Sequence, residues 1–256
     1  MSASSEGVQI FEPPPDAGTE NILDAMKRGE LALQGLMPWS SNYTFLALIT
    51  CDHFKFSVVY KPCRGERPLW DFEHETLCQR EVATYLLSRA LGGWPAIPPT
   101  VLRDGPHGRG SVQQFVLTDY DIHYFTIQDE PRFQTQFQQL AIFDYLINNA
   151  DRKGGHCLLG EDDTIWAIDH GLTFHTDYKL RTVIWEHAQQ KIPHSIYRDL
   201  KNFKQTFTPD SEIYKTLQKL LSPHEIEHLC YRIDDLLTSG RFPAPYGRRD
   251  YPYPPV

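Results

Sequence analysis

Apolar and polar positions along the chain fall into two textures. From about residue 30 to 60 the pattern is strand-like. Glu30 to Leu36 alternates loosely and is broken by Pro38. Tyr43 to Thr50 is aromatic and β-branched, which suits a well-buried strand, and Lys55 to Lys61 follows until Pro62. A helical period then fits Glu75 to Leu91, with Val82, Tyr85 and Leu86 on one stripe and Gly92-Gly93 at its C-terminal cap. Residues 97–118 read as strand, Gly/Pro turn, strand. Beyond residue 130 helices dominate. Phe133 to Asn149 has little polarity in its last two turns and predicts a core helix. Cys157-Leu158-Leu159 and Ile165 to Ile168 predict a short hairpin. Ser222-Pro223-His224-Glu225 is a capping box with proline at the first helical position; Ile226, Leu229, Ile233, Leu236 and Leu237 then recur at helical spacing up to Gly240. The pattern predicts an α+β chain: a β-rich N-lobe with one helix over 21–118 and a mainly helical C-lobe over 119–241. Residues 1–20 read as a flexible acidic leader, and the Pro- and Tyr-rich 242–256 as an extended tail.

Composition narrows the classes. The 256 residues carry 25 Lys+Arg against 33 Asp+Glu, a net charge of −8, with four of the acids in the leader. No basic stripe emerges, so nucleic acid is not an expected partner. No apolar run approaches the ~18 residues of a membrane span, and no secretory signal opens the chain. The five cysteines (51, 63, 78, 157, 230) form no CxxC pair and read as reduced thiols of a cytoplasmic protein.

Four stretches carry chemistry. Asn148-Asn149-Ala150-Asp151-Arg152-Lys153-Gly154-Gly155-His156 leaves an apolar helix and turns abruptly polar. A carboxylate beside two cations suits a phosphate ligand and a hydroxyl proton; it equally suits an Asx-type turn. Asp169, in Ile168-Asp169-His170-Gly171, ends an apolar strand, a place for a metal ligand or for a solvated turn. The hairpin between returns Asp169 towards Asp151, and two converging carboxylates need a cation or a shared proton. Mg²⁺ held by carboxylates and substrate phosphates answers that need. Lys61, ending an apolar strand, and Glu81, beside the stripe of the following helix, suggest an ion pair that aims an ammonium at phosphates; each alone also reads as a solvated side chain. Trp70 reads as a packing residue.

In this order the chain resembles protein-kinase-like enzymes, and in wording the phosphatidylinositol 3-/4-kinase-like superfamily. The nearest likeness is to an uncharacterised bacterial kinase-like family, related to type II phosphatidylinositol 4-kinases and HipA-type kinases. YKP at 60–62, REVATYLLSRALG at 80–92, IPPT at 97–100, GSVQQFV at 110–116, NNADRKGGH at 148–156 and AIDHG at 167–171 carry the resemblance over roughly 28–245. It implies a two-lobed kinase-like fold and transfer of the γ-phosphate of ATP to a hydroxyl acceptor: protein, small molecule or lipid. It assigns Lys61 to the α/β-phosphates and Glu81 to holding it. Gln113, Gln114, Phe115 and Val116 become the adenine hinge, and Asp151 the residue that orients or deprotonates the acceptor. Asp169 becomes the Mg²⁺ ligand, with Arg152 and Lys153 assisting with phosphate charge. No GxGxxG occurs; Ser40, Ser41 and Asn42, between the first two strands, stand in the phosphate-loop place.

His156 stands where such families carry a metal-binding Asn. An imidazole there points to Mn²⁺ or to a direct phosphate contact, and it admits a second reading as a nucleotide-binding pseudokinase. A third reading is a metallohydrolase on His156, Asp169, His170 and His175. The segment from Gly171 to about Pro193 takes the substrate-loop place and lacks the basic runs that would dock it on an anionic membrane surface.

Overall fold

The computed structural model describes residues 9–37 and 42–256. In chain order the helices and strands are α1 (Thr19–Arg28), β1 (Glu30–Leu36), β2 (Phe45–Cys51), β3 (Phe54–Pro62), α2 (Leu77–Ala90), β4 (Thr100–Gly105), β5 (Gly108–Gln114), α3 (Tyr124–Ile127), α4 (Gln134–Leu146), β6 (Cys157–Leu159), β7 (Ile165–Ala167), α5 (His194–Thr206), α6 (Glu212–Leu217) and α7 (Pro223–Ser239). The fold is α+β, with the large sheet in the N-terminal part and helices in the C-terminal part. The chain divides into two compact units. Residues 1–78 with 99–117 form the first, and 79–98 with 118–256 the second.

The first unit is an antiparallel sheet ordered β1-β2-β3-β5-β4. Ala47, Ile49, Phe56, Val58, Tyr60 and Val112 are fully buried in it. α1 presents Ile22, Leu23, Ala25 and Met26 to the interior. Arg103 Nη1 on β4 donates to the carbonyls of Met26 and Gly29, 2.8 Å each, which satisfies the open end of α1. The α1 helix lies across the end of the stretch read as a flexible leader. Only Thr19 and Glu20 fall in that stretch; the four buried residues belong to the predicted N-lobe, where α1 is a second helix. A Cβ on Gly110 would sit 2.5 Å from the Lys61 carbonyl and 2.7 Å from the Tyr60 ring, so the strand pair β3–β5 closes only over glycine.

Cys63 and Cys78 form a disulfide with Cα atoms 5.8 Å apart. This corrects the reading of all five cysteines as thiols; Cys51, Cys157 and Cys230 are free. The pair lies 15 residues apart with no CxxC spacing, and only the return of the chain from β3 to the start of α2 brings it together. Glu66 Oε1 accepts the Cys78 N–H at 2.9 Å, a carboxylate at the first turn of the helix. Trp70 is a second correction: it is 93% exposed.

In the second unit Phe137, Ile142, Phe143 and Leu146 of α4 are fully buried, as are Ile226 and Leu229 of α7. The capping box forms: Ser222 Oγ accepts the Glu225 N–H at 3.3 Å and Glu225 Oε2 accepts the Ser222 N–H at 2.8 Å. Gly240 closes α7 at φ 60°, its N–H on the Leu236 carbonyl. β6 and β7 pair antiparallel, Cys157 opposite Ala167. No helix among the described residues is long and apolar enough to cross a membrane.

Candidate active site

The second unit draws the polar residues between 144 and 170 into one frame. α4 ends at Leu146, short of the predicted Asn149, because Asn148 takes φ 50°. Asn accepts that left-handed geometry at little cost. Its Nδ2 donates to the carbonyls of His175 (2.8 Å) and Asp177 (2.6 Å), and its Oδ1 accepts the Lys179 N–H at 2.8 Å. Asn149 Nδ2 donates to Asp144 Oδ1 at 2.8 Å, and its Oδ1 accepts the Asp151 N–H at 3.0 Å. The main chain of 149–152 bonds to 181–183: the Arg181 N–H meets the Asn149 carbonyl and the Arg152 N–H the Arg181 carbonyl. Asp151 is thereby held by backbone on both flanks.

Arg152 is fully buried, as is Asp144. Its Nε lies 3.0 Å from Asp144 Oδ2, its Nη1 donates to the Ile168 carbonyl at 2.9 Å, and its Nη2 lies 2.6 Å from His170 Nε2. This corrects its assignment to phosphate. The guanidinium is spent on joining the 144, 168 and 170 segments and presents no face to solvent. Such a pair is costly to break, about 3–5 kcal/mol when one partner is removed, because the other charge stays buried.

Asp169 stands at φ 60° between two pinned neighbours. Arg152 holds the Ile168 carbonyl, and Glu81 Oε2 accepts the His170 N–H at 3.0 Å. Glu81 is 3% exposed, a buried carboxylate on α2 rather than a solvated one. Its neighbour Arg80 donates to the Thr173 carbonyl at 2.5 Å and pairs with Glu225 at 2.6 Å. α2 is thus stitched to 170–173, and the strained backbone at Asp169 is fixed from both sides.

The carboxylate of Asp169 is half exposed, and its Oδ2 lies 3.4 Å from His156 Nε2. The shorter of two contacts at His156 Nδ1 is to the Asp151 carbonyl, 3.0 Å, with the Lys153 N–H at 3.4 Å. A carbonyl only accepts, so a proton belongs on Nδ1; Nε2 turns a lone pair towards Asp169 when the ring is neutral and donates to it when the ring is protonated. Two acceptors facing one another call for a proton or a cation between them. Two adjacent ligands of an octahedral Mg²⁺ lie about 3 Å apart for bonds of ~2.1 Å, so the pair fits a divalent ion. The nitrogen donor moves preference from Mg²⁺ towards a first-row ion such as Mn²⁺.

Asp151 Oδ2 is 3.2 Å from Lys153 Nζ. Burial pushes the Asp151 carboxyl above the ordinary carboxylate range. Lys153 pulls it back in part, and Asp169 adds a further push upward. The site therefore holds a basic carboxylate, an adjacent ammonium and a half-exposed metal-type pair within one unit.

The remaining assignments lie in the sheet unit. Lys61 is on β3 opposite Ser111. Gln113 is buried with its Nε2 on Thr100 Oγ1, 2.8 Å. The N–H groups of Gln114 and Phe115 donate to the carbonyls of Pro99 (2.9 Å) and Ser57 (3.1 Å), so these hinge amides are engaged in the unit's own structure; Val116 follows, half-buried. Asn42 Oδ1 accepts the Arg67 N–H at 2.9 Å. Ser40 and Ser41 lie outside the described residues.

The metallohydrolase reading is overturned. His170 is fully buried against Arg152, and His175 Nδ1 accepts the Asp177 N–H at 2.9 Å. Among the described residues, three donors lie within 4.8 Å of one another only at Cys63, Glu66 and Cys78, where the sulfurs are bonded to each other. Sequence reasoning missed Asp144 and the roles of Asn148 and Asn149. Asp144 left a signal: an acid among Ile142, Phe143, Tyr145 and Leu146 demands a buried partner.

No family model matches the sequence. Protein Rv2133c of Mycobacterium tuberculosis (strain ATCC 25618 / H37Rv) is 34% identical over an alignment 259 positions long, gaps included, that covers 88% of this chain and 92% of that protein. Among solved structures, hydra Fam20 with sugar superposes with a TM-score of 0.58 at 14% identity, covering 91% of each chain. A Golgi casein kinase with Mn/ADP bound gives 0.56 at 18% identity, covering 93% of this chain and 80% of that one. The Helicobacter pylori proinflammatory kinase CtkA gives 0.54 at 10% identity, covering 84% and 97%. The fold is kinase-like.

Proposed function

The chain belongs to the family of Protein Rv2133c, and on that premise we propose that it is an ATP-dependent phosphotransferase of the phosphatidylinositol 3-/4-kinase-like type, acting on a hydroxyl acceptor. The observation that carries the reading is Asp169, held half-exposed in a left-handed backbone by Arg152 and Glu81, with Asp151 and Lys153 in the same frame. Such a frame suits the neutralising and positioning of a triphosphate.

Asp151 takes the proton of the acceptor hydroxyl as its oxygen bonds to the γ-phosphorus and the bond to the ADP oxygen breaks. The environment that raises its basicity suits that role. Lys153 offsets charge beside it. Lys61 meets the α/β-phosphates, and the stretch Gln113 to Val116 meets adenine through groups other than the engaged amides of Gln114 and Phe115. Asp169 and His156 would hold a divalent ion, which would supply charge neutralisation for the phosphates. Protein, small-molecule and lipid acceptors all remain within this reading.

The test is ADP formation by the purified chain with ATP and Mg²⁺ or Mn²⁺. Asp151→Asn and Asp169→Asn should each lower the rate by about 100-fold or more. Unchanged rates in both variants overturn the reading. One observation favours a second reading, a nucleotide-binding pseudokinase: the imidazole of His156 at the metal pair. That reading requires ATP to raise the melting temperature with no ADP formed by the unaltered chain.

A further inference from the structure

The C-terminal residues run along the candidate active site by backbone contacts. The Asp250 carbonyl accepts the Thr182 N–H at 3.0 Å and Trp185 Nε1–H at 3.3 Å. The Arg249 carbonyl accepts from Arg181 Nε at 3.1 Å. Asp250 folds the start of the stretch, its Oδ2 accepting the N–H groups of Tyr246 and Gly247. The chain turns through 248–250, passes Tyr251 and the cis Tyr253–Pro254 peptide bond, and reaches the loop beyond Asp151, where the Gly154 N–H donates to the Pro255 carbonyl at 2.8 Å. Val256 Cγ1 lies 3.9 Å from where a Cβ on Gly155 would be.

Two segments thus hold the same C-terminal stretch. One follows the candidate catalytic carboxylate; the other, 181–185, bonds to that loop through the pairing of Arg152 with Thr182. The strip offers two main-chain N–H groups, Thr182 and Gly154, and two side-chain donors, Arg181 Nε and Trp185 Nε1, and all four meet main-chain carbonyls of the tail, which carry no side-chain identity. A polypeptide that turns as 246–256 does, and so places carbonyls at that spacing, satisfies them. Gly154 suits this use: a Cβ there would lie 2.8 Å from the Phe125 ring, so the loop keeps its bare backbone and its amide reaches outward.

We propose that residues 152–155 and 181–185 form a docking strip for a proline-bearing polypeptide segment that turns as 246–256 does, occupied in cis by residues 246–256 and opened when these lift. A tethered segment competes at an effective concentration in the millimolar range, so a free peptide reaches the strip only weakly while the tail is seated. The catalytic consequence rests on the phosphotransferase reading: the strip then selects a polypeptide acceptor, and the tail restrains turnover. The binding claim stands apart from it.

The test compares the intact chain with a chain lacking residues 251–256, using a fluorescein-labelled synthetic peptide of residues 246–256. The shortened chain should bind the peptide saturably, at least tenfold more tightly than the intact chain does. Hydrogen exchange at the Gly154 amide should be faster in the shortened chain and slowed again by the peptide. Absent binding, equal binding to both chains, or unchanged Gly154 exchange overturns the proposal. If the shortened chain does not fold, Asp250→Ala in the full chain replaces it: faster Gly154 exchange supports the strip and unchanged exchange overturns it. Peptide binding without ADP formation by any variant supports the strip and counts against the phosphotransferase reading alone. ADP formation without peptide binding counts against the strip alone.

Discussion

At the scale of single residues, the chemistry turns on what surrounds Asp151. Burial raises its carboxyl above the ordinary range and the Lys153 ammonium at 3.2 Å lowers it. The base form exists only above the folded-state pKa, so turnover should rise with pH through that value. Lys153→Met removes the lowering influence, and the acid limb of the pH–rate profile should move to higher pH. A limb that stays in place or moves down would exclude Lys153 as the partner. The same sign governs folding: a carboxyl with a raised folded pKa adds stability at low pH that is lost as pH rises through that pKa. His156 gives a second test at this scale. His156→Asn replaces the nitrogen 3.4 Å from Asp169 by a carboxamide oxygen donor, so the rate with Mg²⁺ relative to Mn²⁺ should rise several-fold. A ratio that falls or holds would show that the imidazole serves another purpose. Cys157 takes no part in this chemistry, because burial pushes its thiol up to about 12 and leaves it inert.

At the scale of elements, the disulfide decides how β3 and α2 are joined. Cys63 follows Lys61 by two residues and Cys78 precedes Glu81 by three. Cross-linking a loop of this length contributes about 3 kcal/mol on the chain-entropy account. The double variant Cys63→Ser, Cys78→Ser should melt several degrees lower than the oxidised chain, and a thiol reductant should lower the unaltered chain by a like amount. Equal melting temperatures in all three would mean that the bond constrains little. Helix α2 shows why one element can be plain in the sequence while its role is not. Its boundaries emerge from periodicity to within about two residues of Leu77–Ala90. Yet Arg80, Glu81, Thr84 and Ser88 are all buried on it, so its polar face is no solvent face. Periodicity sorts apolar from polar; it does not show that a polar side meets the 170–173 segment.

At the scale of the whole molecule, Lys61 belongs to the sheet unit and Asp151 and Asp169 to the helical unit. Nucleotide-linked stabilisation tests the contribution of Lys61 without requiring turnover. A ligand that binds only the folded chain adds about 2.7 kcal/mol at 100 times its Kd. Lys61→Ala should therefore lower the rise in melting temperature that saturating ATP with Mn²⁺ produces, and an undiminished rise would remove Lys61 from the phosphates.

The chain's own order of residues was enough for the α+β class, the strands β2 and β3, the α7 helix with its capping box, and the candidacy of Asp151, Lys153, His156 and Asp169. These follow from local patterns: alternation, helical period, capping chemistry, and polar residues where an apolar element ends. Tertiary structure alone decided that Cys63 bonds Cys78, that Arg152 is buried on Asp144 instead of facing phosphate, that His170 belongs to the frame, and that residues 246–256 lie on the loop after Asp151. The physical reason is separation along the chain. A buried charge or a thiol takes its meaning from partners that arrive from distant segments, and no local pattern names them.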